Sequence, residues 1–217
     1  MTRSAVEYIC GEGNGIVIKN PTIDLEKFDP RKYEAFKGDG EIHLLMVGSY
    51  GARKNQKFAL QILKELVKDH PQTTATFIGY PGTNAATYLP EMKQYVAENH
   101  LEDNVRFLPQ DSDIPLEMAK ATLLLIPSLQ EGLPNVALEA QAMGLSCFVS
   151  TDVSDECNCG LCHFYPLSDG AEGWKQHILD YVQENGYERH IIDMSAWNNR
   201  TISEEYLAYW RGKPMKL

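Results

Sequence analysis

Residues 122–144 read T-L-L-L-I-P-S-L-Q-E-G-L-P-N-V-A-L-E-A-Q-A-M-G. An apolar run of strand length, Leu123 to Ile126, passes into a loop, and the loop passes into a small-residue helix that stops at Gly144. Strand, loop and helix in this order form one half of a βαβ unit. Pro134 suits the first helical position, where its missing N–H would have no intrahelical partner. Asn135 and Glu139 are four apart and share a helix face. Around them Val136, Ala137, Leu138, Ala140, Ala142 and Met143 make the helix apolar almost all round, which predicts burial and a partly desolvated Glu139. A desolvated carboxylate needs partners, and ribose hydroxyls, a nearby lysine or other protein groups are the candidates. Glu131 sits in the loop, ahead of the turn whose open amides attract anions. Carboxylates accept hydrogen bonds from hydroxyls, so the stretch suits a sugar joined to a diphosphate.

Outward from this stretch the same alternation continues from Ile42 to about Asn185. Apolar runs fall at 42–47, 74–78, 104–108, 122–126, 145–149 and 161–166. Several are apolar on both faces, as strands covered from above and below are. Helical periods lie between them, through Phe58 to Val67, Tyr88 to Asn99, Ile114 to Ala121, Pro134 to Met143 and Gly170 to Asn185. The pattern predicts an α/β fold with a doubly wound, mostly parallel, Rossmann-like sheet over 41–185. The ends depart from it. Residues 1–40 form a leader with one strand-like piece, Gly15 to Lys19, and residues 186–217 form a tail with a final helix bearing Tyr206, Leu207, Tyr209 and Trp210.

A chain of 217 residues supports one full domain plus appendages. Its net charge of −10 argues against a nucleic-acid partner, which would want a basic stripe, and against an electrostatically held membrane surface. The longest apolar runs are of strand length, so no transmembrane segment is expected, and the cytoplasm is the default location. Five cysteines, at 10, 147, 157, 159 and 162, point to reduced thiols. Cys157, Cys159, Cys162 and His163 offer a set of zinc-ligand types, but the single residue between Cys157 and Cys159 is awkward for two ligands on one ion. The plain reading is favoured: polar loop cysteines ahead of a strand in which Cys162 is an ordinary small apolar residue. No metal is expected.

In open parallel sheets, ligands bind beyond the carboxyl ends of the strands. One loop there is V-G-S-Y-G-A-R-K-N at 47–55, in which Gly48 and Gly51 permit close backbone approach and Arg53 and Lys54 bring positive charge. Neither a dinucleotide fingerprint nor a phosphate-loop motif is present. Lys54 suits a diphosphate, and a solvated helix-start charge is its alternative. G-Y-P-G at 79–82 reads as a tight turn, with Gly79 or Gly82 lining the crevice as the second option. The loop after the strand ending in Leu108, from Pro109 to Asp113, is a place where backbone groups would read a base edge. The fourth loop runs from Ser128 to Asn135. His43 alternates within a strand and reads as packed.

The run P-S-L-Q-E-G-L-P-N-V-A-L-E-A-Q-A-M-G-L-S at 127–146 resembles the signature of family-four retaining glycosyltransferases, particularly those of bacterial capsule and exopolysaccharide synthesis. N-P-T-I-D-L-E-K-F at 20–28, V-G-S-Y-G-A-R-K-N at 47–55 and D-N-V-R-F-L-P-Q-D-S-D at 103–113 agree in order and spacing, so the similarity covers about residues 15–185. The resemblance implies one half of a GT-B fold, the C-terminal half that holds a nucleotide-diphosphate sugar, with UDP favoured. An N-terminal acceptor-binding domain would precede residue 1, and this chain alone is then expected to be inactive. Contact with the inner membrane would be peripheral, through that other domain. The resemblance places Glu131 beside the transferred sugar, the Gly132, Leu133, Pro134 and Asn135 turn on sugar and phosphate, Glu139 on the ribose and Lys54 on the diphosphate. Gly48, Ser128, Leu108 and Pro109 would complete the donor site, without metal or cofactor.

Three positions depart from the family pattern. Ser49 stands where an arginine is usual, so one phosphate cation is lost unless Arg53 replaces it; Pro109 stands for a common glycine, and Ser146 for a common proline. Two other readings compete. A sugar-nucleotide epimerase half would want an acid/base pair at the sugar. A flavodoxin-like binding or signalling module would want an acidic cluster after the first strand, which Gly48-Ser49-Tyr50 lacks.

Overall fold

The computed structural model describes residues 23–33, 40–80, 82 and 85–211. The strand-like piece Gly15 to Lys19 and Cys10 lie outside the described residues. The chain forms two compact units, Phe28–Ile192 and the pair Met1–Lys27 with Asp193–Leu217.

The larger unit holds six strands: β1 (His43–Val47), β2 (Thr74–Gly79), β3 (Val105–Pro109), β4 (Leu123–Ile126), β5 (Cys147–Ser150) and β6 (Cys162–Tyr165). They form one sheet in the order β3-β2-β1-β4-β5-β6, and each neighbouring pair is parallel. Among the described residues five α-helices accompany them: α1 (Gln56–Val67), α2 (Ala85–Glu98), α3 (Ile114–Lys120), α4 (Asn135–Ala142) and α5 (Gly170–Asn185). The Rossmann-like α/β expectation holds. The flavodoxin-like alternative does not, because in that topology the first strand lies between the second and third, whereas here β1 lies between β2 and β4.

Each strand is short and bounded by turns, and β4 and β5 are buried along their whole length. Leu44, Met46, Ala75, Phe77, Leu123, Leu125 and Phe148 form one face of the sheet. That face packs on Leu60, Leu63 and Leu66 of α1, Met92 of α2 and Trp174 and Ile178 of α5. Burying side chains of this size stabilises by about 1.5–3 kcal/mol each before chain entropy is counted. α4 lies against β4 and β5, with Ala137, Leu138 and Ala140 fully buried.

Local chemistry sets the ends of these helices. Asp113 accepts from the Leu116 N–H at 3.0 Å and caps α3, and Pro115 lies in its first turn. The Arg189 guanidinium donates to the carbonyls of Met118, Ala119 and Ala121 and closes the other end, burial holding it down at about 10. Pro134 is shifted by one position from the expectation. It is the capping residue of α4, in extended backbone (φ −72°, ψ 109°), and Asn135 is the first helical residue.

The cysteines also differ from the plain reading. Cys157 is fully buried, as is Cys147, and is no polar loop residue. The thiols of Cys157 and Cys162 lie close to carbonyl oxygens of Ser154 and Cys157, at 3.2 and 3.8 Å, and hydrogen bonding with neighbouring thiols, followed by burial, pushes both well above the usual thiol range. The His163 ring lies against Phe148 and Tyr181 (centroids 5.5 and 5.1 Å). Among the described residues no group of three or more His, Cys, Asp or Glu side chains converges on a metal position.

Burial, with the charge of His190, lowers the His163 pKa below its ordinary 6.5. Between that lowered value and about 6.5 the unfolded chain binds more protons than the folded one, so stability falls as pH drops through this window. Denaturant titrations should show a shallower acid limb for His163→Phe than for the parent as pH falls below about 6.5.

In the smaller unit, Ile23 bridges Asn198 ahead of α6 (Asn199–Trp210), and the Asn199 N–H donates to the Ile23 carbonyl at 2.9 Å. Ile202 is buried, while Leu207 and Trp210 are exposed. Among the described residues no helix is long and apolar enough to cross a membrane.

Candidate functional site

β1 and β4 are neighbours although two strands and their helices separate them in sequence, so the chain leaves them in opposite directions and a crevice opens between their following loops. The first of these loops is Gly48 to Asn55, and the second is Pro127 to Pro134. The Leu129 N–H donates to the Arg53 carbonyl at 2.8 Å, sewing the two together.

In that crevice Lys54 Nζ lies 2.6 Å from Glu131 Oε1, and the Ser128 hydroxyl donates to the same oxygen at 2.6 Å. The pair is largely removed from solvent, with side chains 20% and 9% exposed, and Ser128 is fully buried. Water screens such a pair poorly, so it is stronger than a surface ion pair and more costly to break. The Glu131 backbone is fixed as well. Its carbonyl accepts from the Ser154 N–H at 3.1 Å and it bridges Val153, so the chain after β5 carries the loop.

Four residues singled out in the sequence, Gly48, Lys54, Ser128 and Glu131, therefore meet. Gly48 has φ +155°, and a Cβ added to it would lie 3.4 Å from Lys54 Cε, so the missing side chain makes room for the lysine. Pro134 is buried beside them in sequence, Asn135 is exposed at the start of α4, and Glu139 is half-buried one turn further on. Pro134 has no N–H, and the first amides of the helix it caps have no intrahelical acceptor. Ser49 is half-buried, and its carbonyl accepts from Gln56. Arg53 is exposed. Gly132 is exposed and Leu133 half-buried in the loop. Leu108 and Pro109 lie at the end of β3, paired with Ile78 and Gly79. They share the carboxyl edge but stand two strands from β1, about 10 Å away across the sheet.

Two features escaped the sequence reading, and a third was read there chiefly as a tight turn. Gln56 is buried; its amide donates to the Ser49 carbonyl at 2.9 Å, and its oxygen accepts from the Gly51 N–H at 3.4 Å, clamping the loop that carries Lys54. Gln141 is the second, also fully buried, and ties α4 to the segment 157–161. For Gln141 the available signal was a polar residue inside a mostly apolar helix; Gln56, the first residue of α1 and followed by Lys57, carried no such signal. The third is the G-Y-P-G segment. A Cβ at Gly79 would sit 2.4 Å from the Gly48 carbonyl oxygen, and one at Gly82 2.5 Å from that of Tyr50, so both glycines make space for the first loop. The Tyr50 ring is buried against Gly79, and desolvation raises its phenol to about 12. Gly79→Ala should lower stability by about 1–3 kcal/mol through overpacking and displace the Gly48–Tyr50 backbone. Chemical denaturation measures the first, and amide chemical shifts of Gly48 and Ser49 the second.

A separate cavity lies away from this crevice. It measures about 250 Å³, is lined by His43, Thr74, Thr76, Arg106, Glu117 and Lys120, and opens near the amino ends of β1 and β2. His43 there pairs its Nδ1 with the Thr74 hydroxyl at 2.7 Å, so it is hydrogen-bonded as well as packed.

The family model for glycosyl transferases group 1 matches residues 28–156. A UDP-Gal:alpha-D-GlcNAc-diphosphoundecaprenol alpha-1,3-galactosyltransferase of Escherichia coli is 28% identical over 148 residues, 62% of this chain and 36% of that protein. The putative glycosyltransferase EpsF of Bacillus subtilis is 28% identical over 146 residues, 64% of this chain and 37% of that protein. Among solved structures, Anabaena HepE in complex with UDP superposes with a TM-score of 0.73 at 17% identity, over 92% of this chain and 58% of that one. The chain spans about a third of the length of the curated relatives it matches. With its sheet order, its crevice between β1 and β4 and a family match over more than half its length, the chain belongs to the glycosyl transferases group 1 family.

Proposed function

We propose that this chain is the donor-binding domain of a retaining glycosyltransferase, taking a nucleotide-diphosphate sugar of the UDP type for surface polysaccharide synthesis of the capsular or exopolysaccharide kind. The observation that carries this reading is the meeting of Lys54, Ser128 and Glu131 at the switch point of the sheet. There a cation for the diphosphate and a carboxylate for the sugar lie within a few ångströms of each other, ahead of a helix N-terminus. The fold shared with HepE, which binds UDP, supports the choice of nucleotide, and the UDP-Gal specificity named for the E. coli relative agrees with it.

In this reading Lys54, aided by the first-turn amides of α4, holds the diphosphate, with Arg53 taking the place of the arginine that Ser49 replaces. Glu131 faces the transferred sugar and Glu139 the ribose; Gly48, Ser128 and the Gly132–Asn135 turn shape the donor crevice, while Leu108 and Pro109 line the base end. Transfer with retention proceeds through an oxocarbenium-like step on one face of the sugar, and the rate comes from positioning and from stabilising the leaving diphosphate. No cofactor or metal takes part. An N-terminal acceptor-binding domain completes the enzyme, which the chain needs for turnover. Residues 1–40 belong to the interdomain region and 186–217 form the returning tail. The protein works in the cytoplasm, in peripheral contact with the inner membrane.

Thermal shift against UDP, GDP, ADP and flavin mononucleotide tests the reading. A diphosphate at a hundred times its dissociation constant should add about 2.7 kcal/mol, roughly 5–10 °C for a chain of this size. A shift with flavin mononucleotide alone, or with none of the four, refutes it.

A further inference from the structure

The groups assigned to opposite ends of the donor are bound to each other. Lys54 Nζ and the Ser128 hydroxyl both engage Glu131 Oε1, each at 2.6 Å, in a crevice that leaves the carboxylate 9% exposed. We propose that Glu131 sets the preference of this site for a sugar-bearing diphosphate over a bare one, by competing with the diphosphate for Lys54. The inference rests on the assignment of Lys54 to the diphosphate made above.

A diphosphate that reaches Lys54 must draw Nζ away from the carboxylate. Ser128 continues to satisfy one oxygen, but a mostly buried carboxylate that loses its cation needs further donors, or the desolvation penalty is felt in full. Sugar hydroxyls are donors of the right kind, and an intact donor brings them to this place. A bare nucleoside diphosphate brings none. It leaves Glu131 short of partners and sets two like charges side by side. The intact donor is therefore favoured, and the nucleoside diphosphate left after transfer is released because the carboxylate reclaims the lysine. The backbone of Glu131, held by Ser154 and Val153, keeps the carboxylate within reach for that return.

Equilibrium binding of UDP, GDP and ADP to the chain, to E131Q, to K54M and to the double variant tests the proposal. E131Q keeps the size of the side chain and one acceptor oxygen and removes the charge. It should bind the preferred nucleoside diphosphate roughly five- to twentyfold more tightly than the parent, and the gain should vanish in the K54M background. Equal or weaker binding by E131Q overturns the inference. So does a gain that persists without Lys54, because that would reflect a general field and not competition for the lysine. If neither the parent nor E131Q binds any of the three diphosphates, the proposed function itself fails, and that result is distinct from a parent that binds and a variant that does not gain. Melting curves establish that E131Q is folded. Should it not be, Glu131→Asp withdraws the carboxylate by one methylene, and at least a twofold gain is expected; its absence also overturns the inference.

Discussion

Gln141→Leu should lower the stability of the chain by about 3–5 kcal/mol while keeping the volume of the side chain almost unchanged. The amide nitrogen of Gln141 donates to the carbonyls of Ala137 and Cys157, at 3.0 and 2.8 Å, and its oxygen accepts from the N–H groups of Cys159 and Leu161, at 2.8 and 3.2 Å. The residue is fully buried, as are its bonds to the Cys157 carbonyl and the Leu161 N–H, so water does not replace those partners. Leucine leaves two main-chain donors and the Cys157 carbonyl without this partner, and each buried orphan costs about 1–3 kcal/mol. The segment 157–161 has little regular structure of its own to supply substitutes. Urea denaturation with an unchanged m-value and a lowered midpoint is the expected record, with melting roughly 10 °C lower. A change under 1 kcal/mol would mean that this segment finds other partners, and the clamp would have to be given up.

Lys54→Met should weaken nucleoside-diphosphate binding about a hundredfold and separately destabilise the chain by about 2–4 kcal/mol. The first effect follows from the role proposed for the lysine. The second follows from the structure alone, because the variant leaves the Glu131 carboxylate, 9% exposed, with the Ser128 hydroxyl and without its cation. The two effects separate in the double variant Lys54→Met/Glu131→Gln. Stability should return to within about 1 kcal/mol of the parent, since neither charge is then unpaired, while nucleotide affinity should stay low. Calorimetric titration with UDP and denaturation without ligand measure the two independently. Affinity unchanged in Lys54→Met would remove the lysine from the diphosphate site.

Much of this architecture was legible in the residues. The six apolar runs became the six strands, with ends displaced by one or two residues; the central β4 and β5 are buried on both faces, whereas the edge strand β3 is only partly covered. The cap at Asp113 and the stop at Gly144 (φ +69°) follow rules that act within a few residues. Pro134 was displaced by one place because a proline tolerates either the capping or the first helical position, and only the path of the preceding loop selects between them. The glycines at 79 and 82 resemble any turn in sequence. Their meaning lies in the approach of the Gly48–Tyr50 backbone, some thirty residues earlier in the chain.

For the site, sequence by itself determined which residue types would gather at the carboxyl edge of the sheet: a lysine after the first strand, a serine and a glutamate after the fourth, and a helix opening beyond them. Periodicity and local turn chemistry carry that information, since both are read over a few neighbouring residues. Tertiary structure alone decided that the order β3-β2-β1-β4 places those two loops side by side, that Lys54 spends its charge on Glu131, and that Gln56 and Gln141 lock the flanking segments. Those facts depend on strand order and on contacts between residues 70 or more positions apart, or on a buried amide finding every partner at once, and no local pattern encodes either.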